Sequence, residues 1–237
     1  MSLLQKLLLW LLLALWGVPA LANAPRELCT YNVLSAQAAK ATEPNDARPT
    51  EGWVPVQLPD FWNQRWPEHT GTVWYRIDWE RQCPSASDAA KEPVGIGFPR
   101  IFMAGEFHLN DDLLWRDASL TGPITHGWNT PHWWAVPASA LKPGVNTVWV
   151  RVVGLAELTP GLHVMQLGSF ENMRRKYDEL DWRRGTAFLM SNALSAALGC
   201  IFLVIWLMRR GEHIYGWFAL MSFTWSFYLS TVLAKAP

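Results

Sequence analysis

The sequence predicts an all-β jelly-roll or β-sandwich domain followed by an α-helical transmembrane hairpin. Three observations carry that expectation. Short runs of β-branched and aromatic residues, cut by Pro, Gly, Asn and Asp, fill residues 52–154. Two long stretches without a charged side chain, residues 186–208 and 214–232, stand near the end. Each is long enough to cross a hydrocarbon core of about 30 Å, which takes roughly 20 helical residues. A short apolar run behind a lysine opens the chain.

Residues 1–22 have the layout of a secretory signal. Lys6 precedes the apolar run 7–15, and Ala20 and Ala22 supply small residues for cleavage. Cleavage after Ala22 is favoured over Ala24, where Pro25 would come directly after the cut. An uncleaved anchor helix is the alternative, although the run is short for a span. Either reading exports residues 23–168, to a periplasm or cell surface.

Lys and Arg number 20, as do Asp and Glu. This balance, with no basic stripe, argues against a nucleic-acid partner. Residues 23–168 are long enough for one domain with its own core. Cys29 and Cys83 are the thiols of that stretch, and Cys200 falls in a membrane segment. An oxidising compartment makes a Cys29–Cys83 disulfide the expected state, stabilising by roughly 4 kcal/mol on chain-entropy grounds. Two unpaired thiols are the alternative. No metal site is expected, because neither cysteine has His or Cys neighbours at ligand spacing.

Within the exported part, residues 71–79 and 147–153 alternate as strands with one buried face do. Pro143 and Gly144 supply a turn ahead of the second. Residues 94–98 and 102–109 are further strands, Asn110, Asp111 and Asp112 form a turn, and residues 161–168 read as a last strand. Then Phe170, Met173, Tyr177 and Leu180 recur at spacings of three and four, the apolar stripe of a helix over residues 169–185. That helix either carries a conformational change to the membrane or rests on the domain or bilayer surface.

The order of these runs matters. Gly52, Trp53, Val54 and Pro55 lead to Leu58, Pro59, Asp60, Phe61 and Trp62. Trp74, Tyr75 and Arg76 come next, then Phe107, His108, Leu109, Asn110 and Asp111, and last residues 141–153. This succession resembles the galactose-binding-like jelly roll of family 2 glycoside hydrolases, their non-catalytic sugar-binding domain. It departs at Asn110-Asp111, where that family usually reads Asn-Gly. With the helix, Arg209-Arg210 and Tyr215-Gly216-Trp217 added, the chain resembles the bacterial seven-transmembrane receptors with diverse intracellular signalling modules. The match covers their sensor domain and first two helices. The resemblance implies a multi-pass inner-membrane protein with its β domain in the periplasm. It also implies a cytoplasmic output beyond residue 237, a diguanylate cyclase first and a histidine kinase next. A membrane-anchored carbohydrate-binding protein without output is the alternative.

Trp182 and Trp206 flank the first apolar segment, and Tyr215 and Trp217 open the second, as interface anchors do. Arg209 and Arg210 place the connection in the cytoplasm. Ser191, Ser195 and Gly199 recur every four residues, as do Ser222, Ser226 and Ser230. These small faces are expected to pack on each other or on further helices, with Asn192 seeking a protein partner.

No catalytic set stands out, and the chain is not expected to be an enzyme or to hold a cofactor. Glycosidases use two carboxyls about 5–10 Å apart. Glu106, Asp111, Asp112 and Asp117 are close in sequence, but solvated acids on strands and turns are the simpler reading. A ligand site is more credible at Trp128, His126 and Trp134, where aromatic faces sit beside polar groups, as in sugar recognition. On the other reading Trp133 and Trp134 alternate in a strand and at least one fills the core. Trp74, Tyr75 and Arg76 are expected to brace the fold, with Arg76 on a buried acceptor. The partners expected are the bilayer, an extracellular ligand of carbohydrate or other class, and a second copy of the chain.

Overall fold

The computed structural model describes residues 29–41, 47–85, 87, 92–125 and 130–233. The signal segment 1–22 lies outside them. Strands β1 (Thr30–Lys40), β2 (Val54–Pro55), β3 (Asp60–Phe61), β4 (Gly71–Gln82), β5 (Val94–Phe98) and β6 (Ala104–Leu109) come first. They are followed by β7 (Asp112–Arg116), β8 (His132–Val136), β9 (Val145–Gly154), β10 (Gly161–Leu162) and β11 (Gln166–Ser169). Helices α1 (Phe170–Asp181), α2 (Ala187–Met208) and α3 (His213–Leu233) come last among the described residues.

One sheet of six strands runs β2-β1-β4-β9-β6-β7, and one of three runs β11-β5-β8. Alternation sets what each strand buries. Val73, Tyr75, Ile77 and Trp79 of β4 and Val148, Val150 and Val152 of β9 point inward. They meet Val94, Ile96 and Phe98 of β5 and Val136 of β8 in a single core. Trp62 and Phe107 are fully buried within it. A disulfide joins Cys29, just before β1, to Cys83, just after β4, so it closes the end of a ladder whose last pair is Thr30 with Gln82.

Several elements differ from the sequence reading. β1 is unexpected there, because Ala36, Ala38 and Ala39 have little intrinsic strand preference. Pairing with β4 along its length overrides that preference. The strand over 102–109 begins at Ala104 instead, since Phe102 donates its N–H to Gly161 and lies 4.7 Å from the Phe61 ring. The single strand over 161–168 is two: β10 pairs with β3, and β11 pairs with β5. Asn110 and Asp111 alone form the β6–β7 loop, with Leu109 facing Asp112. Asn110 takes the positive φ of 55°, a conformation Asn tolerates better than most residues. Its side chain is fixed by Asn146 at 3.1 Å and by the Thr147 N–H at 3.1 Å.

The two helices expected over 169–185 and 186–208 are one. Phe170–Met208 is a continuous helix of 39 residues, with a π-helical turn at Trp182–Thr186. Its start is capped by Ser169, whose hydroxyl accepts from the Asn172 N–H. The α1 stripe docks on the outer face of the three-stranded sheet, where Met173 and Tyr177 are buried. A Cβ on Gly95 would lie 2.5 Å from Met173, and one on Gly97 2.5 Å from Tyr177. Those two glycines therefore seat the helix. The α2 part spans 22 residues, roughly 33 Å at the α-helical rise, and is long and apolar enough to cross a membrane.

The α2 and α3 helices run antiparallel. Trp206 packs at Gly216, Phe202 stacks on Phe218 at 5.5 Å, and Gly199 faces the Phe223 ring. Asn192 accepts from Ser226 at 2.6 Å and donates to Ser230 at 3.2 Å. Ser195 and Ser222 are half-buried, whereas Ser191 is exposed. A spacing of four overshoots a helical turn by about 40° per step, so a serine eight residues from Gly199 has rotated off the contact face.

Substituting Gly97 by Ala should destabilise the chain by about 1–3 kcal/mol through overpacking. Gly122→Ala, where nothing lies within 4 Å, should change stability by less than about 0.5 kcal/mol. Denaturant unfolding in detergent, followed by tryptophan fluorescence, compares the two. Equal stability of both variants would show that α1 is not seated on β5.

Candidate functional site

The open edge between the sheets is formed by β7, an end strand of the larger sheet, and β8, an end strand of the smaller. Alternation along β8 turns Trp134 inward, beside Val136, and Trp133 outward onto α1. Trp133 lies 5.7 Å from Phe170 and 6.2 Å from Tyr177. Trp134 lies 4.7 Å from the buried Phe107, and its ring is nearly parallel to His132 at 14°. Trp115 of β7 completes the group, 4.4 Å from His132 and 6.3 Å from Trp134. Trp115, His132 and Trp134 are each half-buried. The result is a shallow aromatic platform over Phe107, with an imidazole as its polar component.

His126 and Trp128 lie outside the described residues. The described chain resumes at Thr130, two residues before His132. Sequence reasoning missed Trp115, and His132 entered only as the polar neighbour of Trp133 and Trp134. The signal lies in the strand pairing, because two end strands bearing aromatics meet at one edge of the core.

The outer face of the six-stranded sheet is a brace. Glu106 is buried; its Oε1 accepts from Arg116 Nη2 at 3.0 Å, and Arg116 Nε lies 3.0 Å from Oε2 as an ion-pair contact. His108 Nε2 lies 2.7 Å from its carboxylate and Arg151 Nη1 3.5 Å away. Burial alone would raise the carboxyl, yet the Arg116 and His108 hydrogen bonds outweigh it and hold Glu106 below its usual pKa. Arg48 covers this layer, 4.2 Å over Trp149 and 5.4 Å over Trp74.

Arg76 departs from expectation. It is part-exposed and pairs with Asp78 at 3.2 Å on the same strand, because its β4 position faces outward. The buried acceptor, Asp60, instead takes Arg65 through 2.8 and 3.0 Å bonds and the Tyr75 hydroxyl at 2.8 Å. Burial first, and the Asp60 charge second, push the Tyr75 phenol far above its usual pKa.

The other acids weighed from sequence separate clearly. Asp111 is exposed, within 3.5 Å of Arg48 and 3.6 Å of Lys142, and Asp112 is exposed. Asp117 is buried, accepts the Gly105 N–H at 2.8 Å and has its pKa raised to about 6 by burial. Among the described residues no cluster of His, Cys, Asp and Glu could hold a metal.

No family model and no curated protein matches the chain. Several solved structures are similar in part. A putative β-galactosidase from Bacteroides fragilis is 15% identical over 60% of this chain and 23% of its own, with a TM-score of 0.42. A glycosyl hydrolase family 2 member from Bacteroides cellulosilyticus is 15% identical over 60% and 20%, at 0.41. A β-glucuronidase from an uncultured Clostridium is 17% identical over 54% and 23%, at 0.40. The chain spans less than a quarter of each enzyme's length. Likeness at this level assigns no activity.

Asp117 makes stability pH-dependent. Its folded pKa, about 6, exceeds the unfolded value of 3.8, so the folded state binds the proton more tightly. Its contribution is full below the unfolded value and lost as pH rises through the folded one. Asp117→Asn keeps an acceptor for Gly105 and removes the titration. Relative to wild type, it should gain melting temperature between about pH 4 and pH 7. Parallel profiles for both proteins would contradict the assignment.

Proposed function

We propose that this chain is the extracytoplasmic input module of a membrane signalling receptor. Its jelly-roll domain takes a carbohydrate-class ligand at the Trp115–His132–Trp134 platform and passes the event into a transmembrane hairpin. The observation that carries this reading is mechanical. β8 bears His132 and Trp134 and is hydrogen-bonded to β5, with Trp133 opposite Gly97. Trp133 and Gly97 both contact Tyr177 of α1, and α1 continues into α2 without a break. A ligand that shifts β8 therefore acts on the membrane helix through one strand and one helix.

A ligand drives such a change only if it prefers one of two arrangements. The half-buried rings suit the apolar faces of a sugar. In this reading the domain binds its ligand without turning it over. The β domain faces the periplasm of a bacterial inner membrane, and Arg209 and Arg210 hold the α2–α3 connection on the cytoplasmic side. The output domain, a diguanylate cyclase by preference, lies in the cytoplasm.

The test uses the full chain in lipid nanodiscs. A glycan array should yield a binder whose affinity Trp115→Ala or Trp134→Ala lowers about tenfold, while Arg76→Gln leaves it unchanged. Spin labels at Cys200 and at Ser222→Cys should then report an altered α2–α3 distance on ligand addition. No binding to any glycan removes the carbohydrate assignment. Binding with an unaltered distance favours an anchored binding protein without signalling.

A further inference from the structure

The π-helical turn at Trp182–Thr186 sits where the β domain meets the apolar helix, and it gathers positive charge. Arg184 Nη1 donates to the Pro99 carbonyl at 2.6 Å, which pins its guanidinium beside the neighbouring Arg100. The Arg100 carbonyl in turn accepts the His163 N–H, on the segment crossing between β10 and β11. Arg100 Nε and His163 Nδ1 are both buried, and neither has a hydrogen-bond partner among the described residues. Within that same set, no carboxylate forms an ion pair with Arg100 or His163 within 4.0 Å. Arg183, by contrast, points to Glu179 at 3.9 Å.

The three groups feel one another. Burial lowers the His163 pKa, and the charges of Arg100 and Arg184 lower it further. Burial and the Arg100 charge act the same way on Arg184. Holding the two guanidinium charges together is unfavourable, and a buried Arg100 Nε–H without an acceptor adds to that cost, as does His163 Nδ1 in the tautomer that protonates it. Both are offset if an anion with several acceptor oxygens sits among them. Guanidinium groups match phosphate in shape and charge.

We propose that Arg100, His163 and Arg184 form a binding site for a phosphate-class anion at the foot of the β domain. If α2 spans the bilayer, as in the proposed function, Arg184 lies at headgroup depth, three residues before α2 begins. An anionic phospholipid headgroup is then the nearest source, and free phosphate is the other. The site itself does not depend on the membrane reading, because its donors belong to the β domain and the turn.

The experiment uses the purified full chain in neutral detergent, in two arms. In one, inorganic phosphate is titrated against sodium chloride at equal ionic strength while thermal unfolding is followed. In the other, native mass spectrometry counts phosphatidylglycerol and phosphatidylcholine retained from mixed micelles. Wild type should bind phosphate, phosphatidylglycerol, or both, in preference to chloride and phosphatidylcholine. Arg100→Gln should weaken that binding about tenfold, the worth of one charge-assisted contact. Arg183→Gln should not. Arg100→Gln is preferred to Arg184→Gln, which also breaks the Pro99 bond; an unchanged near-ultraviolet dichroism spectrum confirms that it folds. Retention of phosphatidylglycerol alone identifies a lipid site, and equal saturation by free phosphate identifies a soluble anion. Absence of preference in both arms, or equal loss in the Arg100 and Arg183 variants, overturns the proposal.

Discussion

The distance between the three-stranded sheet and α1 is set by two side chains that β5 lacks. Met173 and Tyr177 occupy the volume above Gly95 and Gly97 at separations no Cβ tolerates. The five residues of β5 are buried on both faces as a result. Val94, Ile96 and Phe98 serve the core, and the glycines serve the helix. Without that seat α1 would have no buried stripe, and α2 would be joined to the domain by a tether instead of a rod. The glycines are costly to strand formation taken alone, so their place in a fully buried strand is understandable only through the helix.

Much of this was legible in the residues, and the pattern of what was not is instructive. β4, β5 and β9 were legible because Val, Ile and aromatics alternate there with polar or small positions. The stripe of α1 was legible for the same reason at a period of 3.6. β1 was not, since an alanine-rich stretch becomes a strand only because β4 needs a neighbour. The platform was half legible. Trp134, with His132 beside it, could be named from composition, whereas Trp115 depends on which two strands end their sheets, a long-range fact that no local pattern encodes. Arg76 missed the buried acceptor because facing outward or inward along a strand is a matter of register, and one residue of register reverses it.

The buried charges obey a common rule. Asp60 accepts two bonds from the Arg65 guanidinium and a third from Tyr75, whereas Glu106 accepts from Arg116 and pairs with His108 through Oε1, its Oε2 lying at ion-pair distance from Arg116 and Arg151. Burying a carboxylate is tolerable only when hydrogen bonds and nearby cations offset its lost hydration. Glu106 lies between strands β7 and β9, so its pairing also ties Arg116 on the end strand to Arg151 further in. That link holds β7, and with it Trp115, at the sheet edge where the platform needs it. Asp117 is the exception. It stands next to the same strand, accepts from the Gly105 amide rather than from a guanidinium, and has a raised pKa.

The π-helical turn explains how one rod can contact two different partners. Along an uninterrupted α-helix, positions seven apart drift by about 20° and keep nearly the same face. Tyr177 and Arg184 are seven apart, and both face the β domain. Asn192, Gly199 and Trp206 are also seven apart, and all three face α3. Between Arg184 and Asn192 the step is eight, one residue too many for a common face. A π-helical turn accommodates one extra residue, and the turn at Trp182–Thr186 lies at that step. The face that grips the sheet is thereby brought back into line with the face that grips α3. A rotation imposed on α1 at Gly97 would turn Asn192 and Gly199 with it, and the Asn192–Ser226 bond lies directly in the path of that motion.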